Sequence, residues 1–380
     1  MLVDVMQAPI TPETRTMLTA GFIVYCVLML IIGGIASRYI KDIRDFFVAG
    51  GRLGFWVLLF TYMATFMSGM GYMAVCGTCY KLGWGFLMET YWPAIGISAS
   101  ALVIGSRIIR LAKKHNLITI PDYYELRWGS LARIGAIVPV LAIAVFYVIG
   151  QYKALGIILQ SLVGWPYEVA VVVATIIFMA YTFMGGLYAV AWTDYIQGWI
   201  LLIGITILLP IVYSMAGGPE AAFTALKNSD PNLVAPWSPA GPTSWPVWIS
   251  FLVAVGLGTF SLPHTIHRHW MARKVGYYKW LPLAALLWWL WGHYGSKYAG
   301  LGGRALTEMG ILPNLAVPDP DYVLPNLCLY VLPPALAAFM VAAIAAAVMS
   351  TADSLIILAA NTVVRDIYPV SYTHLTLPTN

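Results

Sequence analysis

The chain is written in long apolar stretches. Nine of them, at 17–36, 54–79, 84–106, 131–162, 167–185, 189–215, 246–267, 280–299 and 327–360, approach the roughly 20 residues a helix needs to cross a bilayer. Stretches of that length leave few folds open, because in lipid each backbone N–H and C=O must be satisfied within its own helix. Composition agrees. Only 10% of the 380 residues are charged, where soluble domains carry about 25%. The mean hydropathy is +0.79. A soluble enzyme, a disordered chain and a nucleic-acid binder are all excluded, and the expected class is an all-α integral membrane protein.

The basic residues set an expected orientation, since Lys and Arg favour cytoplasmic loops. With the N-terminus outside, the inner loops collect Arg38, Lys41, Arg44 and Arg52, then Arg107, Arg110, Lys113, Lys114, Arg127 and Arg133, then Arg268, Arg273, Lys274 and Lys279, and finally Arg365. The outer side keeps Arg15, Lys81, Lys227, Lys297 and Arg304, and Lys153 falls within a span. The net charge of +5 therefore belongs to one membrane face. The stretch at 17–36 lacks the flanks of a cleaved signal peptide. The outer connectors 216–245 and 300–326 read as surface loops. The four cysteines are too scattered for a disulfide framework, and Cys76-x-x-Cys79 reads as two small packing residues. His264, His267 and His269 do not share one helix face, which argues against a metal cluster.

Two spans carry the residues that interrupt helices. The second reads Ala64-Thr65-Phe66-Met67-Ser68-Gly69-Met70-Gly71, and the seventh reads Val255-Gly256-Leu257-Gly258-Thr259-Phe260-Ser261-Leu262-Pro263. Each opens a possible five-helix unit. Interrupted segments at corresponding places in two halves are the sequence pointer to a transporter binding site. Polar groups within spans add to this. Glu89 lies near an outer end, Lys153 follows Gln151, and Asp194 opens the sixth span. Asp353 is set among Ser350, Thr351 and Ser354 in an alanine-rich helix. A carboxylate among hydroxyls has no packing rationale there, and oxygen ligands suit a hard cation.

The stretch Gly185-Gly186-Leu187-Tyr188-Ala189-Val190-Ala191-Trp192-Thr193-Asp194-Tyr195-Ile196-Gln197 resembles the signature of the sodium:solute symporter family. Ala347-Val348-Met349-Ser350-Thr351-Ala352-Asp353-Ser354 with Arg365-Asp366-Ile367-Tyr368 adds a second match. Support comes from Asp45–Arg52, Thr119–Tyr124, and Pro263-His264 with Arg268. The resemblance runs from about residue 17 to 368. It implies a LeuT-like inverted repeat with one extra leading helix (17–36), a first five-helix repeat (54–215) and a partial second repeat (246–368). Residues 1–369 would form one transporter domain.

The same resemblance implies sodium as the coupling ion. Its main site would use the carbonyls of Ala64, Met67 and Ala347 and the hydroxyls of Ser350 and Thr351. A second sodium site would use Thr65, Asp194, Asp353 and Ser354. The solute would lie near Ser68, Gly69, Glu89, Gln151, Lys153, Thr259 and Ser261. Phe66, Val255 and Thr259 depart from the acidic and aromatic residues of some amino-acid carriers, which argues against close kinship with proline carriers. The implied function is sodium-coupled symport of a small organic solute in a bacterial cytoplasmic membrane, with no nucleic-acid partner. A solute-sensing input to a sensor kinase and a proton-coupled or uncoupled carrier are the alternatives. Composition changes at Val370, and 370–380 resembles an appended adapter translation. On that reading the second repeat is incomplete, with nine helices present.

Overall fold

The computed structural model describes residues 11–236 and 244–368, so the tail at 370–380 and the first ten residues lie outside the described residues. The long helices, in chain order, are α1 (Pro12–Ser37), α2 (Phe55–Leu82), α3 (Trp84–His115), α4 (Ser130–Val163), α5 (Tyr167–Met215), α6 (Trp245–Trp270), α7 (281–308) and α8 (Pro334–Ile367). Among the described residues the only β pairing is an isolated bridge between Leu53 and Ala272. Leu53 donates to the Met271 carbonyl at 2.9 Å and Arg273 donates back to the Leu53 carbonyl at 3.0 Å. This bridge ties the entry of α2 to the exit of α6.

Seven described helices are long and apolar enough to cross a membrane. The difference from the nine expected spans has two causes. Spans five and six form the single run α5, which turns at Gly186 (φ 51, ψ −151). A side chain at Gly186 would strike Phe46 as well as adopt a left-handed backbone, so glycine is required where the two halves meet. The eighth stretch, α7, carries Lys297, Arg304 and Glu308 and is less apolar than the seven. The ninth also begins later than expected. The Leu332-Pro333-Pro334 sequence ends a short helix, Val323–Val331, before α8 starts, because proline has no N–H to continue it.

Helices α2 and α8 lie at the centre, with 83% of their apolar stretch buried, against 17% for α4 and α6. Small side chains make this possible for α8, whose Ala342–Ala347 run is buried together with Ser350, Thr351 and Asp353. The peripheral helices turn apolar residues outward, such as Phe146 at 74% exposure. An outward apolar face is what a lipid solvent selects. Local caps fix the connectors. Thr119 and Asp122 form a reciprocal capping box that starts the short helix Ile120–Trp128. Arg133 at the start of α4 then binds Asp366 at 2.7 Å, Asp122 at 3.3 Å and also Glu125. That network holds the first turn of α4 against the end of α8.

Candidate functional site

The site is built on the interruption of α2. Helical geometry runs to Met67, and Ser68 then adopts φ 54, ψ 168. A non-glycine residue in the left-handed half of the map costs on the order of 1–3 kcal/mol and persists only when its surroundings hold it there. Three contacts do so. The Gly71 N–H donates to Ser68 Oγ at 3.2 Å, the Tyr147 hydroxyl of α4 lies 3.1 Å from the same Oγ, and the Gly69 N–H donates to Gln151 Oε1 at 2.9 Å. Gly69 allows the close approach. A Cβ there would sit 2.9 Å from Ala154 Cβ and 3.1 Å from Val348 Cγ2. Helix α6 is interrupted as well. It leaves helical geometry at Ser261 and Leu262 and resumes at Pro263.

Just before the α2 interruption, α8 reaches across. Ser350 Oγ donates to the Ala64 carbonyl at 3.0 Å and lies 3.3 Å from that of Ala347. Thr351 Oγ1 donates to the Thr65 carbonyl at 2.8 Å and lies 3.4 Å from that of Ala347. Both hydroxyls are fully buried. Four of the five residues expected at the main cation site thus converge. The second α2 carbonyl in contact is that of Thr65, rather than that of Met67.

The second expected cluster also assembles, but around a side chain. Thr65 Oγ1 is 3.0 Å from Ser354 Oγ and donates to Asp194 Oδ2 at 3.2 Å. Thr61 donates to the same Asp194 oxygen at 2.6 Å, and the Tyr181 hydroxyl donates to Asp353 Oδ2 at 2.9 Å. In the middle lies Arg268. Its Nη2 is 2.8 Å from Thr65 Oγ1 and 3.4 Å from Asp194 Oδ2, and it also contacts Ser354 Oγ. Arg268, expected in an inner loop, is instead fully buried. The sequence signal was its position one residue beyond an interrupted span, where a long side chain can reach back into the bundle. The neighbouring histidines face three different partners: His264 the Tyr147 ring, His267 the Ile118 carbonyl and His269 the Tyr278 hydroxyl.

A cavity of about 540 Å³ opens beside the α2 interruption, lined in part by Phe66, Ser68, Glu89, Tyr147, Thr259 and His293. Its volume falls in the range of small-molecule sites, and its wall is mostly apolar with a few convergent polar groups. Glu89 is 2.6 Å from the buried Lys297 ammonium and 3.7 Å from His293 Nε2. Lys297 also donates to the Phe86 carbonyl at 3.0 Å. This lysine, expected in an outer loop, is part of the bundle interior.

Of the other expected solute residues, Gly69 and Gln151 bond to each other at the interruption without lining the cavity, and two lie elsewhere. Lys153 is exposed and pairs with Asp321 at 2.7 Å, outside the cavity, because its long stem carries the ammonium to the helix surface. Ser261 lines a different cavity, of about 890 Å³, with Arg107, Tyr123 and Trp270. Replacing Lys153 by alanine is accordingly expected to change stability by less than about 1 kcal/mol and to leave solute KM within about twofold. A tenfold rise in KM in an uptake assay would return Lys153 to the solute site.

The sodium:solute symporter family model matches residues 46–373. The chain belongs to the sodium:solute symporter family. As a family member it is a multi-pass transporter, not an enzyme. Similar curated proteins include the high-affinity proline transporter PutP of Bacillus subtilis, 29% identical over 90% of this chain and 71% of that protein. The sodium/pantothenate symporter of Haemophilus influenzae is 30% identical over 90% of this chain and 70% of its own length. A solved Na+-coupled sialic acid symporter, in a substrate-bound outward-open state, superposes with a TM-score of 0.81 at 24% identity. It covers 96% of this chain and 75% of that one, and shares the fold. Proline and pantothenate carriers are about equally similar to the chain, so overall identity does not select a solute.

Proposed function

We propose that this member moves a small organic solute across a cell membrane, coupled to sodium, by alternating access. The observation that carries the reading is the meeting of the Ser350 and Thr351 hydroxyls with the Ala64 and Thr65 carbonyls, four and three residues ahead of the Ser68 interruption. Hydroxyl and carbonyl oxygens suit a small hard cation. Sodium entering there would turn the two hydroxyl hydrogens away and bridge the α2 carbonyls to α8. Ser68 follows in the same backbone and forms part of the solute cavity wall. Binding of the ion thereby orders the surface the solute meets, which is positive coupling between the two.

Helices α2 and α6 would be the interrupted first helices of two related units, and the bundle they form would rock against α4 and α8. The N-terminus is placed outside on the charge bias. An inward membrane potential adds about 2.3 kcal/mol per charge per 100 mV. The solute would contact Ser68, Glu89, Tyr147 and Thr259, with Gln151 supporting the interruption from behind. The solved sialic acid carrier and the proline and pantothenate relatives all handle small polar solutes bearing a carboxylate, and that class is the place to start a screen.

The test is uptake into proteoliposomes with an inward sodium gradient, repeated with potassium in place of sodium. Concentrative uptake is expected only with sodium. Equal accumulation under both gradients would favour an uncoupled carrier, and accumulation driven by acid outside alone would favour proton coupling.

A further inference from the structure

The cluster of Thr65, Asp194, Asp353 and Ser354 holds two fully buried carboxylates, and a fully buried guanidinium reaches into it. Arginine stays charged in any protein environment, so this cation is permanent. Its mode of contact is unusual for an arginine. Paired with a carboxylate, the guanidinium ordinarily uses two parallel N–H groups. Here Nη2 alone does the work. It contacts Thr65 Oγ1, Ser354 Oγ and Asp194 Oδ2 together, while Nε and Nη1 make no hydrogen bond and Asp194 Oδ1 accepts none. One cationic nitrogen inside a cage of two hydroxyls and a carboxylate is how a monovalent ion would be held. The oxygens are also locked by other hydrogen bonds. Thr61 donates to Asp194, Tyr181 to Asp353, and Ser354 Oγ to the Ser350 carbonyl at 2.7 Å.

We infer that Arg268 is the resident cation of this cluster, so that the chain binds one sodium ion, at Ala64, Ser350 and Thr351, and not two. This rests on the symport reading and sets its stoichiometry. A sodium ion in the cage would lie beside a like charge that cannot be discharged, and like charges at such range oppose one another. Arg268 has a second consequence. It projects from Pro263–Trp270, the part of α6 beyond its interruption, onto α2, α5 and α8. The positive charge that a second ion would bring is instead part of an interrupted helix, and it moves only when that helix moves.

The experiment is equilibrium binding of radioactive sodium to the full purified chain in lipid nanodiscs, read as ions bound per chain. One ion is expected for the unaltered chain. Arg268→Gln empties the cage of its charge and is expected to raise the count to two. Adding Asp194→Asn to Arg268→Gln removes the matching negative charge and is expected to return it to one. Arg268→Lys keeps a single cationic nitrogen and is expected to stay at one. Two ions on the unaltered chain would overturn the inference while leaving sodium symport intact. So would a folded Arg268→Gln chain that still binds one. No sodium on the unaltered chain would instead overturn the symport reading, and this inference with it. Because two ions on the unaltered chain would overturn the inference alone, the test stands even if Arg268→Gln fails to fold.

Discussion

Uptake by a chain carrying both Ser350→Ala and Thr351→Ala is expected to lose its dependence on sodium. Among the described residues, these hydroxyls are the side-chain oxygens that donate to the Ala64 and Thr65 carbonyls, at 3.0 and 2.8 Å. An oxygen ligand to a charged partner is worth roughly 1.5–3 kcal/mol. Losing two should weaken sodium activation at least about a hundredfold, since 1.4 kcal/mol is tenfold. The same change leaves two buried carbonyls without their α8 donors, at about 1–3 kcal/mol each, so folding must be followed in parallel. Thr351→Ser with Ser350→Thr keeps both hydroxyls and should retain sodium activation within about tenfold. A sodium activation curve unchanged in the double alanine variant, with protein of normal stability, would remove this cluster from ion coupling.

The second large effect concerns Lys297. Its ammonium is buried, 2.6 Å from Glu89 Oε2, 3.0 Å from the Phe86 carbonyl and 4.5 Å above the Phe86 ring. Breaking a buried ion pair from one side costs about 3–5 kcal/mol, because the remaining charge is stranded. Lys297→Met should therefore lower the denaturation midpoint sharply and leave an uncompensated carboxylate at the cavity wall. Glu89→Gln with Lys297→Met removes both charges, and most of the lost stability should return. Full recovery with normal uptake would make the pair purely structural. Recovery of stability with a raised solute KM would place Glu89 among the solute contacts. If Lys297→Met alone left the midpoint unchanged, the pair would not hold α3 to α7.

The membrane class was legible because apolar length is a property of local sequence. So was the α2 interruption, since Ser68-Gly69-Met70-Gly71 cannot continue a helix cheaply, and the structure puts the non-helical residue at Ser68. Ser350 and Thr351 were marked by the neighbouring Asp353, a carboxylate without a packing reason, and assigned to the main ion site by the family resemblance. Lys297 and Arg268 were misplaced by the rule that assigns a long basic side chain to the nearest membrane face, and Lys153 in the opposite sense, because a place within a span put it near the solute. Lys153 sits inside its stretch yet surfaces beside Asp321, whereas Lys297, near the end of its stretch, and Arg268, just past the end of its own, turn inward to Glu89 and Asp194.

What the sequence by itself determined is therefore the medium, the helices and the points where two of them must be interrupted. Those follow from hydropathy and backbone chemistry within some twenty residues of each position. The tertiary structure alone decided which charges are buried and with whom. The partners are far apart in the chain, as with Arg268 and Thr65 or Lys297 and Glu89. A charge can stay in the interior only if packing brings its counter-charge within hydrogen-bond reach, and no local pattern states where a helix some two hundred residues away will lie.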